Sequence, residues 1–400
     1  MDGSPFETIV GVDACVELEG QTLDGVPITH AVRPADASQL AACLAAARET
    51  HRPLIVSGTG SKLGWGNRSR AAELVRIELT RLDRPLELDV AEGVVRVGAG
   101  VRLEMLEQCA AEQGQRTRLP VSSRAASVGG TLATDPPSPE LGPASRLRDD
   151  VLGLRVAHPT GELSRCGGRV VKNVTGFDLV RLYCGSFGTL GVITEATLRL
   201  RPLPEQRLDF CRSFACVEDA LERSEDLVHR DVSAAVLSPV DGGALLRWRL
   251  EGCEADVQRR ERALEGDREM APALEDAARA LWATTAAHED RVRVRLGALS
   301  SELSLLCREL TECAGPSALR IVLPLAGLLV AEVPEPVLPT LYRVVEARSW
   351  WLLVERASPE CKRALDVFGP PPPALSLMRA LKRKFDPADV LSPGRFVSGI

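Results

Sequence analysis

Hydrophobic and polar positions change period several times along the chain. Ser38 to Thr50 places Leu40, Cys43, Leu44 and Ala47 on one face at helical spacing, with Ser38 as the expected N-cap. The apolar run Pro53 to Val56 then reads as a strand. Leu86 to Val97 reads as a hairpin turning at Glu92-Gly93, and Leu103 to Gln113 as an amphipathic helix stopped by Gly114. Leu154 to Ala157 predicts a strand that a Pro159-Thr160-Gly161 turn sends back. Asp178 to Tyr183 predicts a short helix with Leu179, Leu182 and Tyr183 inward. Val192 to Leu200 alternates as a half-buried strand, which Pro202 and Pro204 end.

Beyond that proline pair the pattern repeats. A strand at Leu208 to Phe214, a helix at Val217 to His229, strands at Ala234 to Ser238 and Ala244 to Leu250, and a helix from Cys253 form a β-α-β-β-α run. A helix is expected at Pro272 to Ala286. The run then recurs with strand Val292 to Leu296, helix Ser301 to Cys313, strands Leu319 to Leu323 and Leu328 to Val333, helix Val337 to Ala347 and strand Trp350 to Val354. Two copies of a ferredoxin-like order predict one antiparallel sheet covered by helices on one side. Pro370 to Pro373 is a stiff linker, followed by a basic helix at Leu375 to Lys384 and the segment FDPADVLSPGRF with a Pro393-Gly394 turn.

Three glycine-bearing segments carry the candidate chemistry. His51 to Asn67 reads HRPLIVSGTGSKLGWGN, so a strand runs directly into glycines 58, 60, 64 and 66. Successive N–H groups in such a turn can bind pyrophosphate oxygens. Leu119 to Ala133 reads LPVSSRAASVGGTLA, and Gly167 to Leu200 reads GGRVVKNVTGFDLVRLYCGSFGTLGVITEATLRL. In the third segment Gly176, Gly185, Gly188 and Gly191 permit close approach or positive φ, with Lys172, Asn173 and Asp178 beside them. The glycines follow the second strand of a strand-helix-strand unit, unlike a Rossmann fingerprint, and no G-x-x-x-x-G-K-[ST] loop occurs.

The third segment closely resembles the flavin-contacting block of the FAD-binding domain in the vanillyl-alcohol oxidase / p-cresol methylhydroxylase superfamily. Within it, the pattern GG-x-V-x-KN-V-x-G-[YF]-D-L followed by GS-x-G-x-LGV-[IL]-TE is most similar to the FAD-binding subunit of bacterial glycolate oxidase. The matching positions run from Gly167 to Leu179 and from Gly185 to Glu195. The resemblance implies an α+β fold: a two-part FAD-binding domain over residues 1–204, a middle substrate or cap domain over 205–369, and a segment 370–400 that returns to the first domain. It also implies that Ser57, Gly58, Thr59, Gly60, Ser61, Lys62, Leu63 and Gly64 hold the pyrophosphate. Pro120, Ser127, Gly129, Gly130 and Thr131 would form a second cofactor loop. Lys172, Asn173, Gly176, Asp178, Gly185, Gly188, Gly191 and Ile193 would meet the flavin. The sequence departs from the family at Asp135-Pro136-Pro137-Ser138-Pro139, where relatives carry small residues and a Gly-Pro-Arg step.

Relatives that tether FAD carry a histidine near the first loop, where this chain has Lys62, so non-covalent FAD is expected. Relatives that oxidise 2-hydroxy acids carry an H-x-G-D-G-N-x-H-like metal segment, whereas residues 205–369 hold only His229 and His288, far apart. No metal is therefore expected, and no catalytic residue can be assigned. Three functions stay open: an electron-transfer subunit working with a catalytic flavoprotein and an iron–sulfur subunit, a free-standing FAD-dependent oxidoreductase of a small hydroxy acid or alcohol, and a structural subunit. The missing histidine pair favours the first over the second, and the intact glycine blocks disfavour the third.

Composition narrows the classes further. Four hundred residues exceed what one core usually serves. The formal net charge of −6 gives no basis for binding nucleic acid. Eleven cysteines at irregular spacings read as reduced, buried thiols rather than a disulfide or cluster framework. The absence of a secretory signal and of a long apolar run leads to the expectation of a cytoplasmic protein with no transmembrane segment, peripheral to a membrane only through partners.

Overall fold

The computed structural model describes residues 4–120, 125–140, 146–169, 177–230, 232–264, 269–270, 274 and 291–400. The chain divides into two compact units. One comprises 1–136, 147–202 and 359–400, and the other comprises 137–146 and 203–358.

The first unit begins with helix α1 (Pro5–Val10) and strands β1 (Cys15–Glu17), β2 (Thr22–Leu23) and β3 (Val26–Val32). Helix α2 (Ala37–Glu49), strand β4 (Leu54–Ser57) and strand β5 (Leu74–Glu78) follow. The sheet order is β1-β3-β5-β4, with β3 and β4 both parallel to β5 and β2 paired to β3. The expected N-cap of α2 is corrected: Asp36, not Ser38, caps it, because the Asp36 carboxylate accepts from the Ser38 and Gln39 N–H groups. Leu40, Cys43, Leu44 and Ala47 are fully buried, packed with Phe6, Leu54 and Ile77, as the helical spacing requires.

A second, antiparallel sheet has the order β10-β9-β11-β7-β6. Its members are β6 (Leu86–Asp89) and β7 (Val94–Gly98), the expected hairpin with Gly93 at φ 66°, then, beyond the short strand β8 (Gln115–Arg116), β9 (Val151–Ala157), β10 (Leu163–Gly167) and β11 (Val192–Arg199). Strand β8 pairs with β12 (Arg201–Pro202). Helix α3 (Leu103–Glu112) ends at Gly114, which has φ 66°. Helix α4 (Val128–Thr134) and the one-turn helix α5 (Leu179–Tyr183) complete the segment before β11. In α5, Val180 and Tyr183 are buried while Leu179 and Leu182 are only half-buried, which moves the inward face from the one expected.

The described residues of the second unit form one eight-stranded sheet. Its first copy has β13 (Gln206–Phe214), α6 (Val217–His229), β14 (Ala234–Val240), β15 (Gly243–Gly252), α7 (Glu254–Ala263) and β16 (Glu269–Met270). The second has β17 (Arg291–Gly297), α8 (Leu303–Ala314), β18 (Leu319–Leu323), β19 (Leu328–Pro334), α9 (Leu338–Arg348) and β20 (Trp351–Arg356). The order β16-β13-β15-β14-β18-β19-β17-β20 is the ferredoxin-like order of strands, 4-1-3-2, followed by its mirror. Strands β14 and β18 join the copies. Helices α6 and α8 touch each other as well as strands of the sheet, so they share a face. The helix expected at Pro272 to Ala286 lies outside the described residues apart from Leu274, which is buried against Ala234, Ile321 and Val330. His288 lies outside them too.

The chain re-enters the first unit with α10 (Pro359–Ala364) and α11 (Leu375–Phe385). Leu391 then forms a parallel bridge to Leu54, and Leu54 N–H donates to the Val390 carbonyl at 2.7 Å. No helix among the described residues is long and apolar enough to cross a membrane.

Candidate functional site

A cleft opens where parallel strand β4 ends, the position at which α/β sheets usually receive ligands. Counted with its open mouth, the space between its walls is about 810 Å³. Strand β4 supplies Ser57, and the loop supplies Gly58, Thr59, Gly60, Ser61, Lys62 and Leu63. The start of α4 supplies Ser127, Gly129 and Gly130 on the opposite wall. Gly188, Gly191 and Ile193 come from the turn and strand that follow α5.

Each wall is held by specific contacts. Ser127 Oγ accepts from the Gly130 N–H at 3.3 Å, capping α4. A Cβ on Gly58 would lie 1.9 Å from that same Oγ, so only glycine lets the two loops meet. A Cβ on Gly129 would strike the Ala99 side chain at 2.7 Å. Gly191 answers to packing: its Cβ would sit 2.6 Å from a Val156 methyl. Gly60 and Gly188 have φ of 82° and 69°, with no protein atom within 4 Å of an added Cβ. Their backbone faces open space. The Thr59 hydroxyl is buried there with no hydrogen-bond partner in the protein.

Other expected site residues serve as supports around the cleft. Gly185 has φ 75° and donates its N–H to the Leu132 carbonyl, while Phe187 N–H donates to Ala133 O, pinning the turn against α4. Thr131 is fully buried within α4, its hydroxyl unpartnered. Pro120 is buried away from the lining. Asp178 is exposed and caps α5, accepting from Arg181 N–H and pairing with its guanidinium. Gly64 does not line the cleft either, but its carbonyl takes the Lys362 ammonium at 2.6 Å. Lys172, Asn173 and Gly176 lie outside the described residues.

The C-terminal segment adds residues that the motifs did not signal. Arg395 lines the cleft and donates to the Leu63 carbonyl at 2.6 Å and to the Trp65 carbonyl. Asp24, in the β2–β3 turn, accepts from Lys362 at 2.8 Å and from Arg395 at 3.2 Å. Burial presses both cations' pKa values down, against the pull of Asp24. Asn67 donates to Phe396 O and to Asp366, and Phe187, at φ 55°, meets Phe368 edge-on and Phe396 at a tilt. Lys382 holds the other side. Its ammonium pairs with Asp386 at 2.7 Å and donates to the carbonyls of Leu391 and Thr189. Among the described residues no group of histidine, cysteine, aspartate and glutamate could hold a metal ion.

Residues 28–167, which contain β4, the first loop and the start of α4, match the FAD binding domain family. This region is similar to FAD-binding domains. The fold is that of p-cresol methylhydroxylase: the solved structure of that enzyme with substrate bound superposes with a TM-score of 0.73 at 16% identity, covering 98% of this chain and 95% of the other. An uncharacterised FAD-linked oxidoreductase of Mycobacterium tuberculosis H37Rv is 31% identical over 54% of this chain and 47% of its own length. The glycolate oxidase subunit GlcE of Escherichia coli K12 is 30% identical over 54% of this chain and 60% of its own. The chain thus spans about half the length of the first of these relatives. The cleft fits the dinucleotide that the FAD-binding domain implies: a glycine frame with open backbone, the orphaned Thr59 hydroxyl, and the cations Lys62 and Arg395.

Proposed function

We propose that the chain is the FAD-binding electron-transfer subunit of a complex that oxidises a small 2-hydroxy acid, in the manner of glycolate oxidase. The carrying observation is the make-up of the cleft. Its described lining offers glycines, hydroxyls, apolar side chains, Lys62 and Arg395, and no histidine, tyrosine or carboxylate to take a proton from substrate. Similarity to GlcE supports the same reading. Bound FAD supplies two-electron and one-electron chemistry. The loop Ser57–Leu63 and Ser127–Gly130 hold the cofactor's phosphate region, and Gly188 to Ile193 receive its flat ring. Lys172, Asn173 and Gly176 contribute to the ring site in this reading. In this reading the cofactor is held without a covalent bond, since Lys62 stands where relatives that tether FAD carry a histidine. Its partners are a catalytic flavoprotein, which supplies the base, and an iron–sulfur subunit, which takes the electrons onward.

The test is an absorption spectrum of the purified chain. It should carry flavin that heat denaturation releases into solution, and glycolate or D-lactate should leave that flavin oxidised until the partners are added. General-base catalysis alone is worth roughly 10²-fold or more. Rapid bleaching of the lone chain by either acid, insensitive to chelator, would instead make it a free-standing dehydrogenase.

A further inference from the structure

Behind the cofactor loop, two cations share one carboxylate. The side chains of Lys362 and Arg395 are 2% and 4% exposed, and that of Asp24 is 10% exposed. Both cations contact Asp24, and each then donates to carbonyls of the loop, Lys362 to Gly64 and Arg395 to Leu63 and Trp65. Carbonyls satisfy hydrogen bonds but cancel no charge. The half-buried Arg68 donates to the Asp24 backbone carbonyl and brings a further positive charge, so it offsets nothing in the buried trio. The nearby Arg363 pairs with its own neighbour, Glu360. The cluster therefore holds one positive charge more than it balances, in a place water barely reaches, and its Arg395 faces the cleft. Buried charges require compensation.

We infer that Asp24, Lys362 and Arg395 form a deliberately unbalanced cluster whose missing negative charge is the pyrophosphate of the dinucleotide in the cleft. Lys362 and Arg395 are positioning residues. They draw the carbonyls of Leu63, Gly64 and Trp65 to the rear of the loop and leave net positive potential on its front. The inference rests on FAD as the ligand. It makes the FAD-free protein the strained state and couples cofactor retention to a segment more than three hundred positions along the chain, since Asp24 and Lys362 are separated by 338.

Lys362→Met keeps the length of the stem and leaves Asp24 balanced by Arg395 alone. Thermal unfolding of stripped and FAD-loaded protein, with FAD affinity from fluorescence quenching at several salt concentrations, reads the consequence. The stripped variant should melt no lower than stripped wild type. FAD should raise its melting temperature by less, and its Kd should rise about tenfold with a shallower salt dependence. Asp24→Asn tests the same point with the opposite sign, because it enlarges the excess: the stripped protein should melt lower and gain more on adding FAD. A brace with no role toward the cofactor predicts otherwise. In that case stripped Lys362→Met melts lower while its FAD-induced rise and Kd match wild type, and either that result or a smaller rise in Asp24→Asn overturns the inference. If FAD raises the melting temperature of no protein, wild type included, the cofactor reading itself fails.

Discussion

Gly58 and Gly60 show two ways in which a glycine can be indispensable. At Gly58 the limit is space, because a methyl would occupy the position of Ser127 Oγ. Gly58→Ala should therefore cost about 1–3 kcal/mol by overpacking, visible in urea unfolding of the FAD-free protein. At Gly60 no protein atom stands in the way, so the limit is backbone conformation and, in the proposed reading, the volume of the FAD. Gly60→Val should cost about 1–3 kcal/mol of strain and also empty the site, leaving the purified variant colourless. A variant that keeps full flavin occupancy would remove the first loop from the site. His158 offers a pH test. It is half-buried, bonded to Ser164 at 2.6 Å and packed near Tyr183 and Phe385, and burial lowers its pKa from 6.5. The unfolded chain therefore takes up the proton first as pH falls. Stability is fully present above pH 6.5 and declines as pH drops through the lowered value. The decline in urea midpoint between pH 7.5 and pH 5 should be smaller in His158→Gln than in wild type.

Among the elements, Asp36 and Lys382 separate ordinary capping from buried pairing. Asp36→Ala should cost about 1 kcal/mol, the usual worth of an N-cap, and leave FAD affinity unchanged. Lys382→Met should cost about 3–5 kcal/mol, because it strands the fully buried Asp386 carboxylate without its cation. Denaturation curves of the two variants would show the difference directly. The same contrast explains what could be read before folding. Hairpin β6–β7, helix α3 and the paired ferredoxin-like runs were legible because period and punctuation are local: alternation, a terminal glycine, a proline pair. The start of α2 was missed by two residues because Asp36 and Ser38 are both good caps, and the carboxylate prevailed. The loops Ser57–Leu63 and Ser127–Gly130, which line the cleft, were signalled by the family resemblance, their glycines alone being a weak mark. Arg395, Lys362 and Asp24 were not, since their partnership spans nearly the whole chain and one arginine among many carries no local mark. Phe187 was equally hidden: it adopts positive φ without being glycine, held by its N–H bond to Ala133 and by two phenyl rings.

For the molecule as a whole, the first unit is discontinuous, and its core shows why. Val390 and Leu391 are buried beside Phe6, Leu40 and Leu54, so residues from both ends of the sequence fill one interior. A chain stopped after Ser358 should therefore fail to retain FAD and should expose apolar surface, measurable by dye binding, even though the β13–β20 sheet lies wholly before that point. Flavin retention by such a truncated chain would show that the returning segment is dispensable.

The bridge from Leu391 to Leu54 also has a meaning in time. Between the synthesis of Leu54 and that of Leu391, roughly 17–67 s pass at about 5–20 residues per second. For most of that interval β4 and its glycine loop are already outside the ribosome without the strand-like neighbour that completes them. The middle sheet can fold as it emerges. The nucleotide cradle must wait for Pro359–Ile400, so flavin loading belongs to the period after translation has passed Leu391, and a nascent chain held on the ribosome before that point would be an apoprotein with half an interior.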